Sequence, residues 1–202
     1  MTMSKPVLAL SRRGAIAGLG ATGVGLAVAD RLASRPLAGA SLYKIVYDDR
    51  EVEGRHFGAR FAAAGFATAT VGDDPTWLWF DDLHHHWRRA GVAGLTTPAV
   101  ALSLKLMAEL AGVRAVIWGL HQIGLGRTSH DLSATKPALA AWKRQADAGA
   151  AWTEALHGMI VAAAAQPTAA ARFTHASGAR EDGAREMVSW MLAPVSKGSA
   201  GT

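Results

Sequence analysis

Apolar and polar positions along residues 43–118 change period several times, and each change predicts an element. Tyr43-Lys44-Ile45-Val46-Tyr47 is a short β-favouring run that stops at Asp48-Asp49-Arg50. Glu51 to Ala64 then reads as a helix, with Phe57, Phe61 and Ala64 at spacings of four and three and Gly65 as its stop. Ala67 to Val71 is a second strand candidate that ends at Gly72-Asp73-Asp74, and Pro75 opens a further helix whose stripe is Trp77, Phe80, His84 and Trp87. Thr97-Pro98 places a hydroxyl N-cap before proline at the first helical position. In the helix that follows, Val100, Leu104, Met107 and Ala111 form one face and Leu102, Leu106 and Leu110 stand beside it, a breadth that predicts burial on more than one side. Val113 to Trp118, after Gly112, is the third strand.

Beyond Gly119 the pattern loosens through Gly124, Gly126 and Asp131. An Ala-rich helix is expected from Pro137 to Ala165 with a break near Gly149, and Gln166 to Gly183 reads as irregular. Met187 to Leu192 is taken as a fourth strand in preference to a last helical turn. Strands alternating with helices predict an α/β fold: a small three-layer domain with a short, mostly parallel sheet of three to four strands covered by helices. A mostly helical domain is the alternative, because Ala and Leu dominate. One such domain is expected over residues 41–195, with a frayed tail at 196–202 made of Ser, Lys, Gly, Ala and Thr.

Ahead of that domain, Ser11-Arg12-Arg13-Gly14 stands directly before an uncharged Gly/Ala-rich run to Ala29, and Ala38-Gly39-Ala40 follows as a small-residue cleavage pattern. The stretch resembles a twin-arginine (Tat) export signal, with Arg12 and Arg13 as the paired arginines and Ala38 and Ala40 flanking the cleavage point. It departs from the family pattern at Ala15, where a bulky apolar residue is common. Ala27-Val28-Ala29 is the alternative cleavage site. The apolar run from Ala15 to Ala29 is shorter than the about 20 residues that a membrane span needs, and Gly18, Gly20, Gly23 and Gly25 weaken it further. No permanent span is therefore expected, an uncleaved anchor being the alternative. The resemblance implies the Tat translocase as a partner, folding before transport, and a periplasmic or extracellular location.

That segment also absorbs two other signals. Of 21 Lys and Arg, five fall in residues 1–40 against Asp30 alone, which leaves residues 41–202 with 16 basic and 15 acidic groups and a net charge of +1. The pI near 10 is thus no argument for a nucleic-acid partner. Gly18-Leu19-Gly20-Ala21-Thr22-Gly23 spells a dinucleotide pattern, but it follows no strand and lies inside the signal. The chain has no cysteine, which excludes disulfides, thiolate-held iron–sulfur clusters, covalent c-type haem and a lipoprotein anchor. Any cofactor is otherwise undetermined.

In open α/β sheets, ligands bind beyond the carboxyl ends of the strands. That rule gathers Asp48, Asp49 and Arg50 after the first strand, Asp73 after the second, His121 after the third, and Thr96 and Thr97 at a helix start. Asp48, Asp73 and His121 are the catalytic candidates, and Asp49, Arg50, Thr96 and Thr97 the candidates for ligand binding. The same residues are also ordinary turn and cap formers. His84-His85-His86 offers His85 and His86 as weak metal candidates, since neighbours on a helix point about 100° apart and cannot share one ion. Seven tryptophans, three of them at 77, 79 and 87, suit either core filling or a partner face.

The first reading is a non-catalytic binding or accessory subunit of a larger exported periplasmic enzyme. The alternatives are a small periplasmic hydrolase or isomerase using the strand-end carboxylates and His121, and a His-dependent metal binder.

Overall fold

The structure is a computed structural model that describes residues 42–124, 126–165, 173–177 and 183–194. The export-signal residues Arg12 and Arg13, the cleavage residues Ala38 and Ala40, and the expected tail at 196–202 lie outside the described residues. Among the described residues, no helix is long and apolar enough to cross a membrane.

Strand β1 (Leu42–Tyr47) leads into helix α1 (Val52–Ala63), which returns the chain to β2 (Thr68–Thr70). Helix α1 lies against the sheet with Gly54, Phe57, Gly58 and Phe61, spacings that put all four on one stripe. Its two glycines let it come close. A Cβ on Gly58 would stand 2.4 Å from the Tyr47 ring.

A composite helix α2 joins β2 to β3 (Gly91–Thr96); it consists of Thr76–Leu78, a π-helical turn at Trp79–Leu83, and His84–His86. The π turn accommodates one extra residue and resets the inward face. Leu78, Trp79, Leu83 and Trp87 are buried, whereas Trp77 and Phe80 stand outside. The stripe expected at Trp77, Phe80, His84 and Trp87 is therefore corrected at all but Trp87, His84 also being exposed.

Helix α3 (Pro98–Leu110) then leads to β4 (Val113–Ile123), which turns back into β5 (Thr128–Ala134). Helices α4 (Lys136–Asp147) and α5 (Trp152–Ala165) follow, separated at Gly149, whose φ of 77° suits glycine. Strands β6 (Phe173–Ser177) and β7 (Arg185–Pro194) complete the described chain.

All the described strands join one seven-stranded sheet in the order β2-β1-β3-β7-β4-β5-β6. Only β2, β1 and β3 pair in parallel; β7 runs antiparallel to both β3 and β4, and β5 and β6 are antiparallel as well. The fold is a mixed α/β domain, and the expectation of three to four mostly parallel strands is corrected on both number and direction. β5, with sequence Thr-Ser-His-Asp-Leu-Ser-Ala, carries one large aliphatic residue and so lacks the alternation that marks a strand. β6 falls within the stretch expected to be irregular.

Helices cover both faces. One core joins Phe57 and Phe61 of α1, Trp142 of α4 and Leu156, Met159 and Ile160 of α5 to Ile45, Leu95, Ile117 and Met191 of the sheet. The second joins Trp79, Leu83 and Trp87, with Val100, Leu104 and Ala108 of α3, to Val46, Val92, Val188 and Trp190. Helix α3 buries one face only: Leu102, Leu106 and Leu110 remain exposed, against the expectation of burial on more than one side.

Candidate functional site

Strand β4 runs in the same direction as β3, because both pair antiparallel with β7. The carboxyl ends of β1, β2, β3 and β4 therefore share one edge, where the sequence places its candidates. Within that edge they form separate groups. Three strand spacings separate β1 from β4, about 14 Å.

Asp48, Arg50 and Asp73 make the first group. Asp48 accepts hydrogen bonds from the Arg50 backbone N–H at 3.0 Å, from Nε at 2.9 Å and from Nη2 at 2.6 Å. The other edge of the guanidinium reaches Asp73 through Nη1 and Nη2, both at 2.8 Å. Arg50 is thus clamped between two carboxylates from the ends of adjacent strands. The Asp48 peptide N–H donates to the Leu95 carbonyl at 3.1 Å, tying this turn to β3. Arg50's hydrogen bonds hold the Asp48 carboxyl below the usual carboxylate range despite its burial, and they lower Asp73 too. Carboxylates held in this way are weak bases, which speaks against a general-base role. Asp49 is exposed and offers its carbonyl oxygen to Arg55 at 2.6 Å.

Asp48 is a stability element whose contribution depends on pH. Its folded-state pKa lies below its unfolded value, so the stabilisation is present above about pH 4 and lost as pH falls through the folded value. Asp48→Ala should cost about 1–3 kcal/mol at pH 7, the half-exposed Arg50 retaining Asp73 as a partner. Urea unfolding of both proteins at pH 7 and pH 3 checks this, the difference shrinking at the lower pH.

Thr96 belongs to the core beneath this edge. It is fully buried, and its Oγ1 accepts a 3.1 Å hydrogen bond from Trp190 Nε1. Thr97 is the N-cap residue of α3, with no side-chain cap bond. Its carbonyl accepts the Ala101 N–H at 3.0 Å. Neither threonine makes a described bond to the Arg50 cluster.

His121 anchors the second group and is completely buried. On the neighbouring strand it stands opposite His130, and the two Nδ1 atoms are 2.7 Å apart. Its Nε2 lies 2.8 Å from Ser189 Oγ on β7. The Trp152 ring stacks on His121 with centroids 4.6 Å apart, and Trp142 packs against His130 at 5.0 Å. Burial holds the His121 pKa well below its ordinary value, and the neighbouring His130 lowers it further. Gly119 makes the close approach possible, because a Cβ there would sit 2.6 Å from Ser189 Oγ and 2.5 Å from Leu132 Cδ2.

His130 and Ser189 escaped the sequence reading. His130 lies in a strand that carries little hydrophobic alternation. The available signal for Ser189 was a hydroxyl inside the apolar run Met187-Val188-Ser189-Trp190-Met191, where a buried polar group needs a partner.

His85 and His86 are exposed. His86 stacks on Tyr43 with ring centroids 4.2 Å apart, and its Nδ1 is 3.2 Å from the Asp82 carbonyl oxygen. Asp82 itself pairs with Lys44 and accepts from the Tyr43 hydroxyl. Among the described residues, no group of three or more His, Asp or Glu side chains is arranged to hold a metal ion.

Compared with known proteins, the chain matches no family model, no curated protein and no solved structure.

Proposed function

We propose that the chain is a non-catalytic binding or accessory subunit of a larger exported enzyme, and that its partner docks on the outer surface of α2 and α3. The observation that carries this reading is the exposed row Leu102, Leu106 and Leu110 at 50%, 52% and 91% exposure. Spacings of four place these leucines along one ridge of α3. Trp77 and Phe80 add exposed aromatic surface on α2, at 53% and 61%. Both helices cover the same face of the sheet. Large apolar side chains left exposed on helices whose opposite sides already fill the core are the composition of a docking surface. Export of the subunit with its partner rests on the resemblance of residues 11–40 to a twin-arginine signal.

The hydrolase or isomerase reading is less well supported. Arg50 occupies Asp48 and Asp73, while His121 and Ser189 lie fully inside the core.

Purification of the exported protein at native abundance tests the proposal. A larger protein should accompany it in fixed stoichiometry, and Leu106→Asp should reduce that retention at least about tenfold. The same substitution should leave the unfolding free energy within about 0.5 kcal/mol, because Leu106 faces outward. A lone monomer, or retention unchanged by Leu106→Asp, overturns the docking face.

A further inference from the structure

The solvent side of α3 carries no charge. Its exposed positions are Pro98, Ala99, Leu102, Leu106 and Leu110. Ser103, beside the leucine ridge, donates its hydroxyl to the Ala99 carbonyl at 2.9 Å. The charged side chains of the helix, Lys105 and Glu109, are half-buried and pair with each other at 3.0 Å. Lys105 also lies over the Trp118 ring of β4, 5.8 Å from its centroid, so this pair stands on the flank towards β4. The ridge therefore suits an occupant that is itself apolar and uncharged. An apolar face kept for a partner also needs cover before that partner arrives.

We propose that two copies of this chain pair α3 against α3 about a two-fold axis at Leu106 until the larger partner takes the face. This rests on α3 being a docking face, but not on the identity of the later partner. The ridge complements itself, because Leu102 and Leu110 lie four residues to either side of Leu106. A two-fold axis there sets Leu106 against its own copy, and Leu102 of each copy against Leu110 of the other, as an isologous interface requires. Ridges of spacing four interdigitate in the commonest class of helix packing. Lys105 lies one residue before the axis and Glu109 three after it. At 1.5 Å per residue, the axis brings Lys105 of each copy to within about 3 Å, along the helix direction, of Glu109 of the other. Both stand on the same flank, so opposite charges meet there and fix the register.

The area of the ridge sets the strength of this pairing. Its three leucines expose roughly 350 Å² per copy, against the about 800 Å² that each partner gives to a standard interface. Pairing over so small an area is reversible, with a dissociation constant on the order of 1–100 μM. Such a dimer covers Leu110, the most exposed of the large apolar side chains. It also yields the face to a partner that buries more.

Sedimentation of the purified protein between about 1 and 300 μM, a range that brackets that constant, tests the pairing. The expected result is a monomer that becomes a dimer across this range. Leu106→Asp should raise the dissociation constant at least about tenfold, because two carboxylates then meet at the axis. Cysteine substitution reads the geometry, since the chain has no thiol of its own. Leu106→Cys should oxidise to a disulfide-linked dimer, the Cα atoms at the axis lying within about 7 Å of each other. Leu102→Cys and Leu110→Cys should each cross-link at least about tenfold more slowly alone, yet readily when mixed, giving the heterodimer by mass. A protein that stays monomeric at about 300 μM overturns the proposal. So does a dimer that Leu106→Asp leaves intact, or equal cross-linking at all three positions. A monomer that still retains a larger protein through Leu106 sinks the self-pairing and leaves the docking face standing. A dimer of this geometry that retains no larger protein supports the self-pairing and sinks the accessory-subunit reading.

Discussion

Trp190→Ala should reduce the unfolding free energy by about 3–5 kcal/mol, the range for truncating a fully buried aromatic side chain. Trp190 sits on the central strand β7, is wholly buried, and faces Gly94 across the β3–β7 ladder. Gly94 is shaped around it: a Cβ at that position would lie 2.5 Å from Trp190 Cζ2 and 2.5 Å from the Val46 carbonyl oxygen. Truncation leaves a cavity between the two strands and also strips Thr96 Oγ1 of the indole N–H that it accepts. A loss of this size is a large part of the about 5–15 kcal/mol that holds a typical domain together. Trp190→Phe separates the contributions, since it keeps most of the volume and removes the hydrogen bond, with an expected cost of about 1–2 kcal/mol. Urea unfolding followed by circular dichroism measures both. A Trp190→Ala loss below about 1 kcal/mol would show that the packing around Gly94 relaxes freely.

Gly54→Ala should be nearly as damaging, at about 3 kcal/mol or more, although it adds one methyl group. The added Cβ would stand 2.0 Å from the Asp48 carbonyl oxygen and 3.0 Å from its carbonyl carbon. Both obstacles are backbone, so no rotamer change relieves them, and such overpacking exceeds the usual about 1–3 kcal/mol. Relief requires α1 to lift away from β1, which draws Phe57 and Phe61 out of the core they share with Ile45 and Leu95. It also disturbs the turn that presents Asp48 to Arg50. Gly54→Ala should therefore carry part of the Asp48→Ala effect with it, and the two losses combined should fall short of their sum. Full additivity would separate the helix contact from the turn.

Much of this architecture was legible locally. Residues 43–47, the helix over 51–64, the Thr97-Pro98 helix start and the break near Gly149 depend on nearest-neighbour propensities, and each sits where its residues indicate. The candidate site was legible only in part. Asp48, Arg50 and Asp73 come together because strand ends of a parallel pair must share an edge. His121, expected beyond the end of its strand, instead lies inside β4 and is buried there, three strands away from Asp48, since β7, the last described strand, inserts between β3 and β4. Nothing near residue 187 announces that insertion. Strand order and direction come from which surfaces a distant segment can bury, and an apolar run reads alike in either direction.

The exposed ridge on α3 shows the same division from another side. Thirteen residues rich in Leu and Ala determine a helix by themselves. They do not determine how much of that helix another element will cover. Only the assembled layers leave Leu102, Leu106 and Leu110 exposed while Val100, Leu104 and Ala108 fill the core.

By itself the amino-acid sequence determined β1, β2, α1, the start of α3 and the start of β4, the absence of thiol chemistry, and the near-neutral charge of residues 41–202, because each follows from local residue identity or from counting; it did not mark Gly91–Thr96, with two glycines in six residues, as the strand β3. Tertiary structure alone decided the mixed sheet, the Arg50 clamp and the Ser189–His121–His130 chain. Those arise from contacts between residues as far apart as 121 and 189, whose free energy exists only once the intervening chain has folded.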